Sequence, residues 1–179
     1  LSETSLTNEA RQFDIPGYEV NHCIVSRGKG VSTYYSPAVA DKLIEMETFR
    51  GAGFSISKVQ LEEMDSINVY RSSDASIPGT LEMIRSLIEP DRPTLISGDF
   101  NLCYRTNATN TLTAGLLSDG FEQLVTEATQ IMGGMIDHLY WRDSQEIKYK
   151  RPTVERRSSY YSDHDILMVT LVRTFLKKV

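Results

Sequence analysis

The stretch Arg92-Pro-Thr-Leu-Ile-Ser-Gly-Asp-Phe-Asn101 constrains the fold of this chain more than any other. Pro93 interrupts whatever precedes it, and Thr94-Leu95-Ile96 is a short run of strand-forming residues. Gly98 then bends the chain. Asp99 and Asn101, two residues apart on an extended backbone, share one face. A carboxylate and a carboxamide therefore emerge together at the C-terminal end of a buried strand, where α/β folds commonly place their chemistry.

The surrounding pattern is rich in strands. Tyr18 to Ser26 alternates as a strand, Arg27-Gly-Lys-Gly30 reads as a turn, and Val31 to Tyr35 returns before Pro37. Gly28-Lys-Gly30 lacks the spacer and following hydroxyl of a phosphate-binding loop. Residues 38–50 fit a short helix or a plain connection. Phe54 to Leu61 alternates as a half-buried strand, and Ser66 to Arg71 is another. Leu81, Ile84, Leu87 and Ile88 repeat at helical spacing behind Thr80, a candidate cap, and Pro90 stops them. Helix is predicted over 114–117 and 120–127, strand over 135–141 and 166–172, and a charged connection between 142 and 157. Many strands with few short helices predict an α/β sandwich of two packed sheets. At 179 residues one domain, 1–179, accounts for the chain.

Composition narrows the function classes. The apolar (40%) and charged (24%) fractions are those of a globular chain, and no run reaches the roughly 20 apolar residues of a membrane span. Two isolated cysteines, Cys23 and Cys103, are too few for a disulfide framework or a zinc site, which fits a reducing intracellular setting. A net charge of −5 argues against nucleic-acid binding by bulk charge alone.

Three short motifs occur in order: Gly98-Asp-Phe-Asn101, Ile136-Asp-His138 and Ser162-Asp-His164. With Leu1-Ser-Glu-Thr4 and Asn68-Val-Tyr-Arg71, the chain resembles the endonuclease/exonuclease/phosphatase superfamily over essentially its whole length. The tail and the short segment 102–135 look most like endonuclease domains of non-LTR retrotransposons and related mobile elements. The resemblance implies a four-layer α/β sandwich of two mixed sheets flanked by helices. Such domains begin with a strand that precedes the Glu-Thr motif, so the chain reads as a fragment without it.

The resemblance also implies roles. Glu3 would hold a divalent cation, Mg²⁺ or Mn²⁺, hard ions that suit carboxylate oxygens, and Asp163 would help bind it or fix the histidine loop. Asp99 would orient the attacking water, Asn101 and Tyr70 would contact the scissile phosphate, and Asp137 would hold His164 against it. No serine or cysteine nucleophile has an adjacent base, so direct attack by water is expected. His138 should point away from Asp137, into packing or into support behind the site, and His22 reads as structural.

Arg142, Lys148, Lys150, Arg151, Arg156 and Arg157 crowd one segment leading to Tyr160-Tyr161, with Arg27, Lys29 and Arg71 able to extend it. A basic loop with aromatics beside the site suits contact with a DNA backbone, with Arg71, Lys150, Arg151, Arg156 and Arg157 as the contacts. The expected activity is metal-dependent nicking of DNA. The rival readings are a phosphatase or phospholipid-type phosphodiesterase, or an inactive nucleic-acid-binding remnant. Expected partners are DNA and the remainder of a mobile-element polyprotein, with nuclear action following from the substrate.

Overall fold

A computed structural model describes residues 14–26, 29–107, 110–145 and 147–174. Its frame is a six-stranded sheet in the order β3-β4-β5-β6-β8-β7, formed by β3 (Leu43–Gly51), β4 (Phe54–Leu61), β5 (Asp65–Arg71), β6 (Thr94–Asp99), β7 (Glu122–Gln123) and β8 (Asp137–Arg142). Only β5 and β6 run parallel, and helix α2 (Ile77–Leu87) makes the crossover between them. The sheet is mixed and the fold is α/β.

One face of this sheet carries the main core. Ile56, Ile67, Val69, Ile96 and Tyr140 meet Leu81, Ile84 and Leu87 of α2 and Leu112 and Leu116 of α4 (Thr111–Ser118). The other face is covered by two hairpins. The first joins β1 (Glu19–Ser26) to β2 (Lys29–Tyr35) and packs Cys23 and Val31 against Tyr70. The second joins β10 (Thr153–Arg157) to β11 (Ile166–Thr170), and its Val154, Leu167 and Val169 pack against Leu139, Val125 and Met135. Sheet, hairpins and helices therefore stack in layers, with helices against the outer face of the six-stranded sheet.

Five parts of the chain depart from expectation. Residues 43–51, read as helix or connection, form edge strand β3, which follows the four-residue helix α1 (Pro37–Ala40). Charged Glu45, Glu47 and Arg50 dilute its apolar pattern, as is common on an edge. Strand β4 is buried on both faces along its first six residues, because the first hairpin covers Ser55 and Ser57; the Thr33 hydroxyl donates to Ser57 at 3.1 Å. Helix α2 is capped by Ser76, whose Oγ accepts from the Gly79 amide at 3.1 Å, while Thr80 lies inside the helix. Residues 120–127 are not helical: the Leu124 amide donates to Leu139 O at 2.8 Å and the segment follows the edge of β8. The charged connection contributes β10 and the short β9 (Lys148–Tyr149), which pairs with β12 (Arg173–Thr174).

Candidate active site

The C-terminal end of β6 depends on Gly98. Its φ is +143°, and a Cβ there would stand 1.8 Å from the Val69 carbonyl oxygen of β5. Only glycine lets the two parallel strands lie this close. Strand β6 ends one residue later at Asp99, which is 1% exposed. Asn101 then takes φ +48°, the one non-glycine residue with positive φ among the described residues. Its backbone amide donates to Asp99 Oδ1 at 2.8 Å and its Nδ2 to Asp99 Oδ2 at 3.1 Å and to Arg71 O at 2.9 Å. Asp99 and Asn101 do lie together, but a left-handed turn unites them rather than strand alternation.

Register places the other groups. Asp99 pairs with Asp137 across β6 and β8, and with Tyr70 across β5 and β6; Asn68 pairs with Ser97. Asp137 opens β8, and its backbone N–H donates to the Thr129 hydroxyl at 3.1 Å. His164 lies 27 residues further on, yet its Nδ1 sits 2.9 Å and 3.1 Å from the two Asp137 carboxylate oxygens. Its loop is tied to residues 129–131: the Ile131 amide donates to Asp163 O and the Asp165 amide to Thr129 O.

Charge and burial shape this pair. Desolvation works against the His164 imidazolium, but the Asp137 carboxylate outweighs it, helped by Asp99 and Asp163, so the histidine pKa stands above its ordinary 6.5. Burial lifts the Asp137 carboxyl, against the pull of the Thr129 and His164 contacts. The pair lines a cleft of about 450 Å³ together with Asn68, Ser97, Ser162 and Asp165. Such a cleft can offer a protonated donor to an anionic group, opposite a buried carboxylate.

No protein-family model and no curated protein sequence matches the chain. Solved structures do. The endonuclease domain of TRAS1, a telomere-specific non-LTR retrotransposon, aligns with a TM-score of 0.57 at 14% identity over 89% of this chain and 80% of its own. An endonuclease/exonuclease/phosphatase family protein from Leptotrichia buccalis aligns at 0.61 and 14% identity over 95% and 85%. The catalytic domain of human Nocturnin aligns at 0.60 and 12% identity over 88% and 73%. The fold is that of the endonuclease/exonuclease/phosphatase family.

Within this family fold, the structure gathers Asp99, Asn101, Asp137 and His164 at one end of the six-stranded sheet. Glu3 and Arg27 lie outside the described residues. Tyr70 is beside Asp99 in register but 2% exposed, with its ring packed on Cys23 and Val31. The Asp163 carboxylate accepts from Gln130 Nε2 at 3.0 Å, a contact that holds its pKa below the usual carboxylate range and anchors the histidine loop. Among the described residues no three His, Cys, Asp or Glu side chains form a metal-binding group. The described donors alone do not fit a metal centre.

One of the expected DNA contacts needs correction. Arg71 is buried, not part of a basic rim: its guanidinium donates to Phe100 O at 3.0 Å and to Ala75 O. Arg151 pairs with Glu122, Arg156 with Glu127 and Asp165, and Arg157 with Glu155. Lys150 is exposed and has no carboxylate partner among the described residues. Asn68, Ser97, Ser162 and Asp165 were missed as cleft residues. The period-two rule that joins Asn68 to Tyr70 and Ser97 to Asp99 could have found the first two.

Proposed function

We propose that the chain is a phosphodiester hydrolase whose substrate is DNA. The observation that carries this reading is the 2.9 Å hydrogen bond between His164 and Asp137 in a cleft beside Asp99. With Nδ1–H donated to Asp137, the imidazolium has Nε2–H left to donate to a phosphoryl oxygen and offset charge that develops there. Asp99 is the base that orients water and accepts its proton as the new P–O bond forms and the ester bond breaks. Asn101, held against Asp99, steadies that carboxylate.

A divalent cation, Mg²⁺ or Mn²⁺, would supply further charge neutralisation at the phosphoryl oxygens when bound. The steps above belong to the chain's own residues. The likeness to a retrotransposon endonuclease domain supports DNA as substrate; a nuclear setting and a mobile-element polyprotein as partner go with that reading. If Arg151, Arg156 and Arg157 keep their carboxylate partners, a second reading follows, in which the cleft takes a smaller phosphate ester.

The experiment sets supercoiled plasmid against inositol phosphates, with Mg²⁺ or EDTA, beside Asp99→Ala. Nicking of plasmid by the full chain, abolished by EDTA and by Asp99→Ala, is the expected result. Nicking that persists in Asp99→Ala would sink the mechanism, and nicking that persists in EDTA would remove the cation from it. Turnover of inositol phosphates with intact plasmid would establish the second reading.

A further inference from the structure

The turn that carries Asn101 is gripped by two buried side chains. From β5, Arg71 Nη1 donates to the Phe100 carbonyl at 3.0 Å, and Nη2 donates to Ser73 O at 3.4 Å and to Ala75 O. From β8, His138 Nε2 lies 2.8 Å from Leu102 O and 3.1 Å from Met135 O. Carbonyl oxygens only accept, so Nε2 carries the proton and Nδ1 is the acceptor. The Tyr140 hydroxyl, 3.0 Å from Nδ1, therefore donates to it. Thr113 Oγ1 stands 3.4 Å behind that phenol.

Both residues are built into the core. Arg71 is 2% exposed and His138 fully buried, stacked on Phe100 with ring centroids 4.9 Å apart. Burial holds His138 neutral, with its pKa pushed down to about 4, so this tautomer persists through the neutral range. The turn is also sewn to the start of β8: the Phe100 amide donates to Ile136 O and the Tyr104 amide to Met135 O, each at 2.9 Å. Asn101 Nδ2 returns a bond to Arg71 O.

We infer that Arg71 and His138 are positioning residues, a two-sided clamp that holds the 99–102 turn in its left-handed kink and fixes it against the Asp137 end of β8. Neither touches the reacting atoms; each acts through backbone carbonyls on either side of Asn101. Sequence patterning hides Arg71, which reads as a surface cation, while His138 reads as packing or as support behind the site. The inference rests on the reading of Asp99, Asn101 and Asp137 as active-site groups, so its test needs a readout independent of turnover.

Amide hydrogen exchange in the full chain provides one. The Asn101 amide bonded to Asp99 is followed beside the amides of the β4–β5 ladder. Arg71→Met and His138→Phe should speed exchange at Asn101 by about tenfold or more while the ladder keeps its protection. His138→Gln, which restores a donor, should recover most of it. Phosphodiester turnover by the same variants should show kcat falling by about 10²-fold with KM unchanged. Exchange unchanged at Asn101, or raised evenly with the ladder, overturns the clamp, as does a rise in KM alone. A wild-type chain without turnover would refute the proposed function and leave exchange to decide the clamp. Should His138→Phe not fold, His138→Gln and Arg71→Lys carry the same comparison.

Discussion

At Gly98 the backbone has no room for a side chain. A methyl group would meet the Val69 carbonyl at 1.8 Å, an atom that cannot move without breaking the β5–β6 ladder. Gly98→Ala is therefore expected to lower unfolding free energy by about 3 kcal/mol or more, read by urea denaturation. An unchanged midpoint would refute the close approach. The neighbouring histidine gives a second test. Because Asp137 raises the His164 pKa, the pair's contribution to stability is whole below pH 6.5 and fades as pH rises through the raised value. An NMR titration should place the His164 midpoint above 6.5, and Asp137→Asn should bring it down, since burial alone acts in that direction. A wild-type midpoint below 6.5 would contradict the pairing.

Among the elements, α2 shows where local chemistry and pattern part company. Its buried stripe of Leu81, Ile84 and Leu87 was legible from helical spacing, but its start was not. Thr80 fits the cap rule as well as Ser76 does, and only Ser76 accepts from a free first-turn amide; the Thr80 hydroxyl instead donates back to Ser76 O at 2.8 Å. Ser76→Ala should cost about 1 kcal/mol, visible as a lower thermal midpoint. A midpoint equal to wild type would return the cap to some other group. Strand β3 and residues 120–127 were hidden for a related reason. Their conformations come from pairing with β4 and β8, neighbours that no local window contains. The site was readable in the same uneven way. The order of Gly98-Asp99, Asp137 and Asp163-His164 marked the strand ends, and the contact of Asp137 with His164 was expected from the family resemblance alone, since it spans a loop whose path follows from the 129–131 tether.

For the whole molecule, charge is the feature that folding rearranges most. Six basic residues between 142 and 157 looked like a nucleic-acid track, but folding gives most of them a carboxylate partner and buries Arg71. Five free cations on phosphates would give a log–log salt slope of about −4.5, whereas Lys150 alone gives about −1. DNA binding by this chain should therefore weaken only slightly with salt, in a filter-binding series from low to high ionic strength. A slope near the larger value would show that the ion pairs open on binding. The layered sandwich itself was accessible from the density of strands and from the motifs at their ends, and the structural likeness agrees. What brings the layers into one site is the Asp137–His164 pair. The most direct measurement of it is steady-state hydrolysis of a phosphodiester by the full chain at neutral pH, for wild type, Asp137→Asn and His164→Gln. Both substitutions should lower kcat by about 10²-fold to 10⁴-fold, whereas kcat unchanged in His164→Gln would contradict the account.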